Sequence, residues 1–402
     1  MSSNYDNEAP GYTPATVMEE AARCLLCHDA PCSQDCPAGT DPGKFIRSIR
    51  FGNVRGAAET IRENNALGAV CARVCPTEKY CQKGCSRSGI DRPIDIGGIQ
   101  RYATDFETAA DMKILEAGKS NGLSVAIIGS GPSGLQAAAT LASLGYSVTI
   151  FEEKQEPGGY LRYGIPEYRL PDAVVSREVG RIGDLGVEIR CGVKVAPDQI
   201  ADLKKKYDAI LLATGFGAGK MLPMFEGNPA VETAVDFLAR IKTLKGFGAE
   251  KAPNHAVVVG GGDVAMDVAT TLKKLGVPYV TDLAYEEFSE FLASKKELAG
   301  ARQAGVTIMD GYVPASVDGN VVTFRHRHLD AQLLIKADKI ILAIGQRPEM
   351  EPPKEKNYRT DDKQIFVTGD LAAGDMTVVW AVRKGKGAAF AIHESLNAGR
   401  DN

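Results

Sequence analysis

The chain has 402 residues, 44% of them hydrophobic and 24% charged, with 47 Lys and Arg against 51 Asp and Glu and a net charge of −4. A chain of this length suits about two to four domains with real cores. The even balance and the lack of a polybasic tract exclude the electrostatic footprint of a nucleic-acid or anionic-membrane binder, and no apolar run reaches the ~18–20 residues of a membrane-spanning helix. The opening MSSNYDNEAP is polar, with no apolar stretch suited to secretion, so a cytoplasmic location with reduced thiols is expected.

In chain order, residues 14–28, 42–51 and 54–64 read as short helices separated by Pro, Gly and Cys turns, and 99–115 as a longer one. Residues 1–118 are therefore expected to form a small helical domain with too little apolar content to pack without a staple, ending in a Gly118–Gly122 linker. The texture then changes to α/β. Residues 125–128 predict a strand, 135–144 a helix and 147–151 a strand. The same unit returns at 256–259, 264–275 and 280–283, about 130 residues later. One more strand at 364–369 and a helix from 379 to 396 close the chain. Two strand–glycine–helix–strand units predict two Rossmann-like dinucleotide-binding modules.

The staple is suggested by the cysteines. Of nine, eight fall between Cys24 and Cys85, and the ninth is Cys191. They run Cys24-x2-Cys27-x4-Cys32-x3-Cys36-Pro37, then Cys71, Cys75-Pro76, Cys81 and Cys85. Disulfides do not suit a cytoplasmic chain. Structural zinc favours paired CxxC-type knuckles, and only Cys24 and Cys27 have that spacing. Closely spaced thiolates on turns, closed by distant ones, suit iron–sulfur clusters. The preferred reading is two [4Fe–4S] clusters, for which eight cysteines are at hand.

Gly129-x-Gly131-Pro132-Ser133-Gly134 directly follows the first strand and opens a helix. Its glycines permit a tight turn and a close approach to pyrophosphate at a helix N-terminus. Glu152, 23 residues after Gly129, is placed to accept bonds from an adenosine ribose. Gly158-Gly159, the small-residue turn Ala213-Thr214-Gly215 and the late Gly369-Asp370 complete a set expected to hold FAD. Gly260-Gly261-Gly262-Asp263-Val264-Ala265 repeats the fingerprint with its accepted Ala ending. The next strand ends in Tyr285-Glu286-Glu287. Two carboxylates and no base there favour NADH over NADPH, unless a basic residue such as Lys295 or Lys296 arrives from elsewhere.

Four segments carry a family resemblance: RCLLCHDAPC at 23–32, NALG at 65–68, PIDIGGIQ at 93–100 and GIPEYRLP at 164–171. Over nearly the full length the chain resembles the N-terminal half of dihydropyrimidine dehydrogenase, and within that family the flavin-bearing, NADH-oxidising subunit of the bacterial two-subunit form. The small subunit of glutamate synthase is a wider relative. The resemblance implies one cluster on Cys24, Cys27, Cys32 and Cys85, and a second on Cys36, Cys75, Cys81 and Gln100. Cys71 in place of Gln100 is the competing ligand set. FAD contacts are implied for Gly131 to Gly134, Glu152, Gly158, Gly159, Tyr160, Arg169, Val195, Asp370, Thr377 and Val378. NAD contacts are implied for Gly261, Gly262, Asp263, Val264, Tyr285, Glu286, Ala343, Ile344 and Gly345.

The resulting domain expectation is 1–118 for the clusters, 119–225 with 343–402 for FAD, and 226–342 for NAD. The implied function is electron input. Electrons pass between NADH, FAD and two clusters, to or from an FMN-bearing partner subunit that interconverts uracil or thymine and their dihydropyrimidines. No room remains in the chain for that partner's barrel, and no catalytic acid or base is expected here. The competing classes are the glutamate synthase small subunit and a non-catalytic cofactor scaffold.

Overall fold

The computed structural model describes residues 8–349 and 351–398, and the chain divides into two compact units. The first gathers Ala9–Leu161, Asp172–Gly215 and the chain that follows residue 350. Its cysteine-rich part consists of helices Pro14–Ala22, Pro42–Arg50, Val54–Arg62, Gly68–Val74 and Ile96–Ala109. Four of them start on a side-chain cap: Thr13, Asp41, Asn53 and Asp95 each accept from an amide three residues on. Their apolar faces pool Val17, Phe45, Ile46, Ile49, Ile61, Ile96 and Ile99 into one core that also takes in Cys81.

Two helices differ markedly in their bounds from the sequence expectation, and the helix Gly68–Val74 was not expected. The first stops at Ala22 rather than running to residue 28, because Leu26 and Asp29 adopt left-handed backbone (φ +54° and +35°) in the cysteine loop. The last starts at Ile96 because the Asp95 side chain caps Gly98, and it ends before Asp111, whose φ is +47°. The expected linker is pinned rather than loose: the Gly118 amide donates to Ala142 O and the Asn121 amide to Gly145 O.

A five-stranded parallel sheet fills the rest of this unit, in the order Ile365–Val367, Ala209–Leu212, Ser124–Ile128, Ser147–Glu152, Glu188–Cys191. The central strand is buried apolar sequence, as expected of a parallel sheet covered on both faces. Helices Pro132–Ser143 and Val378–Asn397 pack closely together at Gly385, where a Cβ would come within 2.2 Å of Ser133 O.

The second unit gathers Arg162–Pro171 with Phe216–Glu349. Its parallel sheet runs Val231–Thr233, Lys339–Leu342, His255–Val259, Tyr279–Leu283, Thr307–Met309. Helices Ala234–Leu244, Asp263–Lys274 and Lys295–Gln303 contribute to its cores with Phe237, Ile241, Met266, Val268 and Ala301. An antiparallel meander of Tyr312–Asp318, Val321–His326 and Gln332–Lys336 was not part of the sequence expectation. Its first turn is Gly319-Asn320, with Gly319 at φ +56°, the hairpin signal that marks it. Among the described residues no helix is long and apolar enough to cross a membrane.

Candidate cofactor sites

The cysteines fall into two groups. Cys24, Cys27, Cys32 and Cys85 line one pocket with Leu25, Leu26, Pro31 and Ile46. Burial raises the Cys24 thiol and pushes Cys32 to about 11, with the neighbouring cysteines adding to it. In the second group Cys75 faces Cys71, Cys81 and Cys36. Burial raises Cys75 and Cys81 and pushes Cys71 up to about 12, with like-charged neighbours adding to all three. Thiols crowded and desolvated in this way are poor free nucleophiles but suit iron, because a coordinated thiol is held as thiolate. Two buried polar atoms beside the second group, Thr40 Oγ1 and Glu78 Oε1, have no hydrogen-bond partner. The donor set fits iron–sulfur chemistry.

Gln100 is buried and its Nε2 donates to Gly68 O at 2.8 Å. That bond orients the amide and leaves Oε1, its acceptor atom, for a ligand. Cys71 is buried beside Cys75 and Cys36, so the two candidate ligand sets share one neighbourhood.

At the flavin fingerprint, Gly129 has φ +106°, and a Cβ there would lie 2.5 Å from Ala213 O. A Cβ on Gly134 would meet Gly129 O at 2.1 Å, and one on Gly159 would meet Gly131 Cα at 2.7 Å. Gly131 itself faces open space, at the start of a helix that no side chain caps. This is a cradle for a phosphate. Glu152 is buried; its Oε2 accepts from the Ser130 amide (2.9 Å) and hydroxyl (2.5 Å), and Oε1 from the Lys154 amide (2.8 Å). Three of the roughly four lone-pair sites of a carboxylate are thus used, and one remains.

The turns at Ala213-Thr214-Gly215 and Gly369-Asp370 meet at the same end of the sheet. Gly215 lies beside Asp370 Oδ2, and the buried Thr368 Oγ1 has no partner. Burial raises the Asp370 carboxyl, and Lys384 opposes the shift. Gly158 donates its amide to Ser130 Oγ, Tyr160 begins the short helix after it, and Val195 packs under the sheet with Phe151 and Ile210. Thr377 and Val378 form the N-terminus of the last helix.

Arg169, expected as a flavin contact, carries an ion-pair network. It belongs to the second unit, where its guanidinium grips Asp267 (2.6 and 2.7 Å) and Glu297 (3.1 Å). Burial raises the Asp267 carboxyl, and Arg169 opposes that shift.

In the second unit, Gly260 has φ +155° and a Cβ there would lie 2.4 Å from Ala343 O, so the glycine turn closes onto the Ala343-Ile344-Gly345 segment. Gly262 is open, Asp263 accepts from the Ser294 amide, and Val264 follows it in the helix. Glu286 reaches back over the turn: a Cβ on Gly261 would meet its Oε2 at 2.4 Å. One base lies close to Tyr285. It is Arg327, at the tip of the meander, whose guanidinium stacks 4.0 Å from the Tyr285 ring and donates to Tyr285 O at 3.0 Å. Its sequence distance from Tyr285 hid it, as the meander itself was hidden. Two more residues were missed: Tyr80 and Lys386, which reach from the cysteine loops to the last helix and from that helix to the loops.

Comparisons with known proteins agree with these parts. Residues 1–112 match the family described as dihydropyrimidine dehydrogenase domain II, 4Fe-4S cluster, and residues 123–385 match the pyridine nucleotide-disulphide oxidoreductases. The chain is 54% identical over 405 residues to the NAD-dependent dihydropyrimidine dehydrogenase subunit PreT of Salmonella typhimurium, covering 98% of each. It is 31% identical over 440 residues to the glutamate synthase [NADPH] small chain of Halomonas elongata, covering 96% of this chain and 92% of that one. The thioredoxin reductase of Lactococcus lactis shares the fold, with a TM-score of 0.54 at 20% identity over 69% of this chain and 99% of that one. An iron–sulfur domain joined to a flavoprotein-type dinucleotide-binding body makes the chain an oxidoreductase, and it belongs to the family of the PreT subunits of NAD-dependent dihydropyrimidine dehydrogenase.

Proposed function

We propose that this chain is the electron-input half of an NAD-dependent dihydropyrimidine dehydrogenase, working with an FMN-bearing partner subunit that acts on uracil and thymine. The observation that carries the reading is the 54% identity along 98% of the chain, with both glycine cradles and both cysteine groups in place. Bound FAD would accept a hydride from NADH and release the electrons singly to two [4Fe–4S] clusters.

The chain's own residues supply placement. Gly129, Gly131 and Gly134 open the backbone to a pyrophosphate, and Glu152 keeps one lone-pair site toward a ribose. Cys24, Cys27, Cys32 and Cys85 would hold one cluster; Cys36, Cys75, Cys81 and Gln100 the other. Gly260 to Val264 would seat NADH; Glu286 would repel a 2′-phosphate, and Arg327, the base near that end, is already engaged with Tyr285 O and with Glu290 at 3.4 Å. The three-part division into 1–118, 119–225 with 343–402, and 226–342 goes with this reading.

The test is anaerobic purification followed by mixing with NADH or NADPH. NADH is expected to bleach the flavin at least about tenfold faster, equivalent to ~1.4 kcal/mol of discrimination. Uracil reduction is expected only after the partner subunit is added. Equal bleaching by both nucleotides overturns the cofactor assignment, and uracil reduction by the chain alone overturns the division of labour.

A further inference from the structure

Tyr80 immediately precedes Cys81 in the loop that runs from Cys75 to Cys85. This loop is braced: the Tyr80 amide donates to Thr77 O, the Gln82 amide donates to the same oxygen, and Gln82 Nε2 donates to Ile94 O. The phenol leaves the loop and donates to Asp375 Oδ2 at 2.5 Å, with Thr377 Oγ1 at 3.2 Å. Those two residues end the turn from Gly369 to the N-terminus of helix Val378–Asn397, the turn expected to face the flavin.

Thr377 is the N-cap residue of that 20-residue helix, yet its side chain does not cap it. A Thr at this position usually spends its hydroxyl on its own helix; here it lies against Tyr80. The turn is otherwise held from behind by Lys384, whose Nζ donates to Ala372 O and Asp375 O, both at 3.1 Å. A second staple ties the same helix to the other cysteine loop of this group: Lys386 Nζ donates to Ala38 O at 2.8 Å, two residues beyond Cys36. The last helix is thus fastened beside two ligands of the second cysteine group, Cys36 and Cys81.

We propose that Tyr80 is a positioning residue for electron transfer between the flavin and the second cluster. It fixes the Asp375–Thr377 turn to the loop carrying Cys81, and so sets the separation and the bonded path between the two centres. This rests on the proposed function. In the step concerned, reduced flavin gives up two electrons one at a time and its protons pass to solvent. Each electron reduces one [4Fe–4S] centre, and an added one-electron dye returns the clusters to the oxidised state. Tyr80 exchanges no electron or proton in the balance; its phenol holds the turn in place.

The experiment uses the full chain loaded with FAD and iron, in rapid mixing with NADH. Three variants are compared: Tyr80→Phe, which keeps the ring and loses the hydroxyl; Asp375→Ala, which removes its acceptor; and the two combined. Iron and FAD contents are measured for each. In Tyr80→Phe, bleaching of the flavin by NADH is expected at the unaltered rate. Cluster reduction, followed by electron paramagnetic resonance of rapidly frozen samples, is expected to slow about tenfold as a donor and an acceptor held in one geometry are let out of it. Asp375→Ala is expected to slow the same step. The double variant is expected to be no slower than the worse single one, because both remove one interaction.

Cluster reduction at the unaltered rate in Tyr80→Phe overturns the proposal. So do additive effects in the double variant, or a slowing that only tracks lost iron or FAD, since these mark an ordinary packing role. If Tyr80→Phe does not fold, Asp375→Ala alone decides by the same comparison. Failure of the unaltered chain to be bleached by NADH would instead sink the proposed function, and the two failures are told apart by that control.

Discussion

The Arg62 guanidinium meets Glu178 at 2.7 Å with neither side chain exposed beyond 1%. The same guanidinium meets Glu107 at 2.7 Å and donates to Ala66 O at 2.6 Å, and Arg181 adds a second cation at 2.9 Å from Glu178. Arg62 ends a helix of the cysteine-rich part, and Glu178 lies on the helix Asp172–Gly183 that flanks the flavin sheet. Glu178 also accepts from the Ala69 amide, at the start of the helix that carries Cys71. One buried ionic cluster therefore joins the two halves of the first unit.

Arg62→Leu leaves two buried carboxylates without their main partner. It is expected to destabilise the first unit by about 3–5 kcal/mol, the cost of breaking a buried pair from one side. Thermal unfolding of the loaded protein measures it. A shift no larger than that of an exposed pair such as Arg55–Glu59 would contradict the argument.

Gly134→Ala puts a methyl 2.1 Å from Gly129 O, inside the flavin cradle. The backbone of the turn must move, at about 1–3 kcal/mol for overpacking. The purified variant is expected to have lost most of its FAD while keeping its iron, read as the ratio of each to protein. Retention of FAD at the parental ratio would show that the turn tolerates the displacement.

Asp282 sits in the strand Tyr279–Leu283, fully buried, and neither carboxylate oxygen has a hydrogen-bond partner. Burial, and then the charge of Glu286, raises its carboxyl well above the ordinary value. The folded state therefore holds this proton more tightly than the unfolded state does. The resulting stability is complete below the unfolded value of about 3.9 and is lost as pH climbs through the window up to the raised folded value. Asp282→Val is expected to remove that slope and to gain about 1–3 kcal/mol at neutral pH, the desolvation cost of an unsatisfied buried group. Urea unfolding of both proteins at pH values from acid to neutral measures the difference. Parallel curves would mean that Asp282 is not the titrating group.

Gln100 and Cys71 compete for the fourth place in the second cysteine group. Gln100→Leu is expected to halve the iron content, and Cys71→Ser to leave it unaltered. The reverse pattern, by iron analysis and electron paramagnetic resonance, would give the place to Cys71.

Much of this protein was legible because its chemistry is written in local spacing. Cysteines three to six positions apart, and glycines that open a helix just after a strand, are signals that short stretches of sequence carry whole. Gly129, Gly134 and Gly260 could be read this way because a positive φ or a close backbone approach admits no other residue at the same cost. Four helices of the cysteine-rich part were legible too, apart from their ends, where left-handed residues such as Leu26 stop what periodicity would continue; the helix Gly68–Val74 was not.

What the sequence could not decide were the partners brought together across long stretches of chain. Tyr80 meets Asp375 across 295 positions, Arg62 meets Glu178 across 116, and Arg327 bonds to Tyr285 across 42. Arg169 meets Asp267 across 98 positions. An arginine or a tyrosine has the same local signature whether it faces a cofactor or another side chain. Only folding desolvates it and supplies the opposite charge or the acceptor, and that choice is made by contacts that no short window of sequence contains.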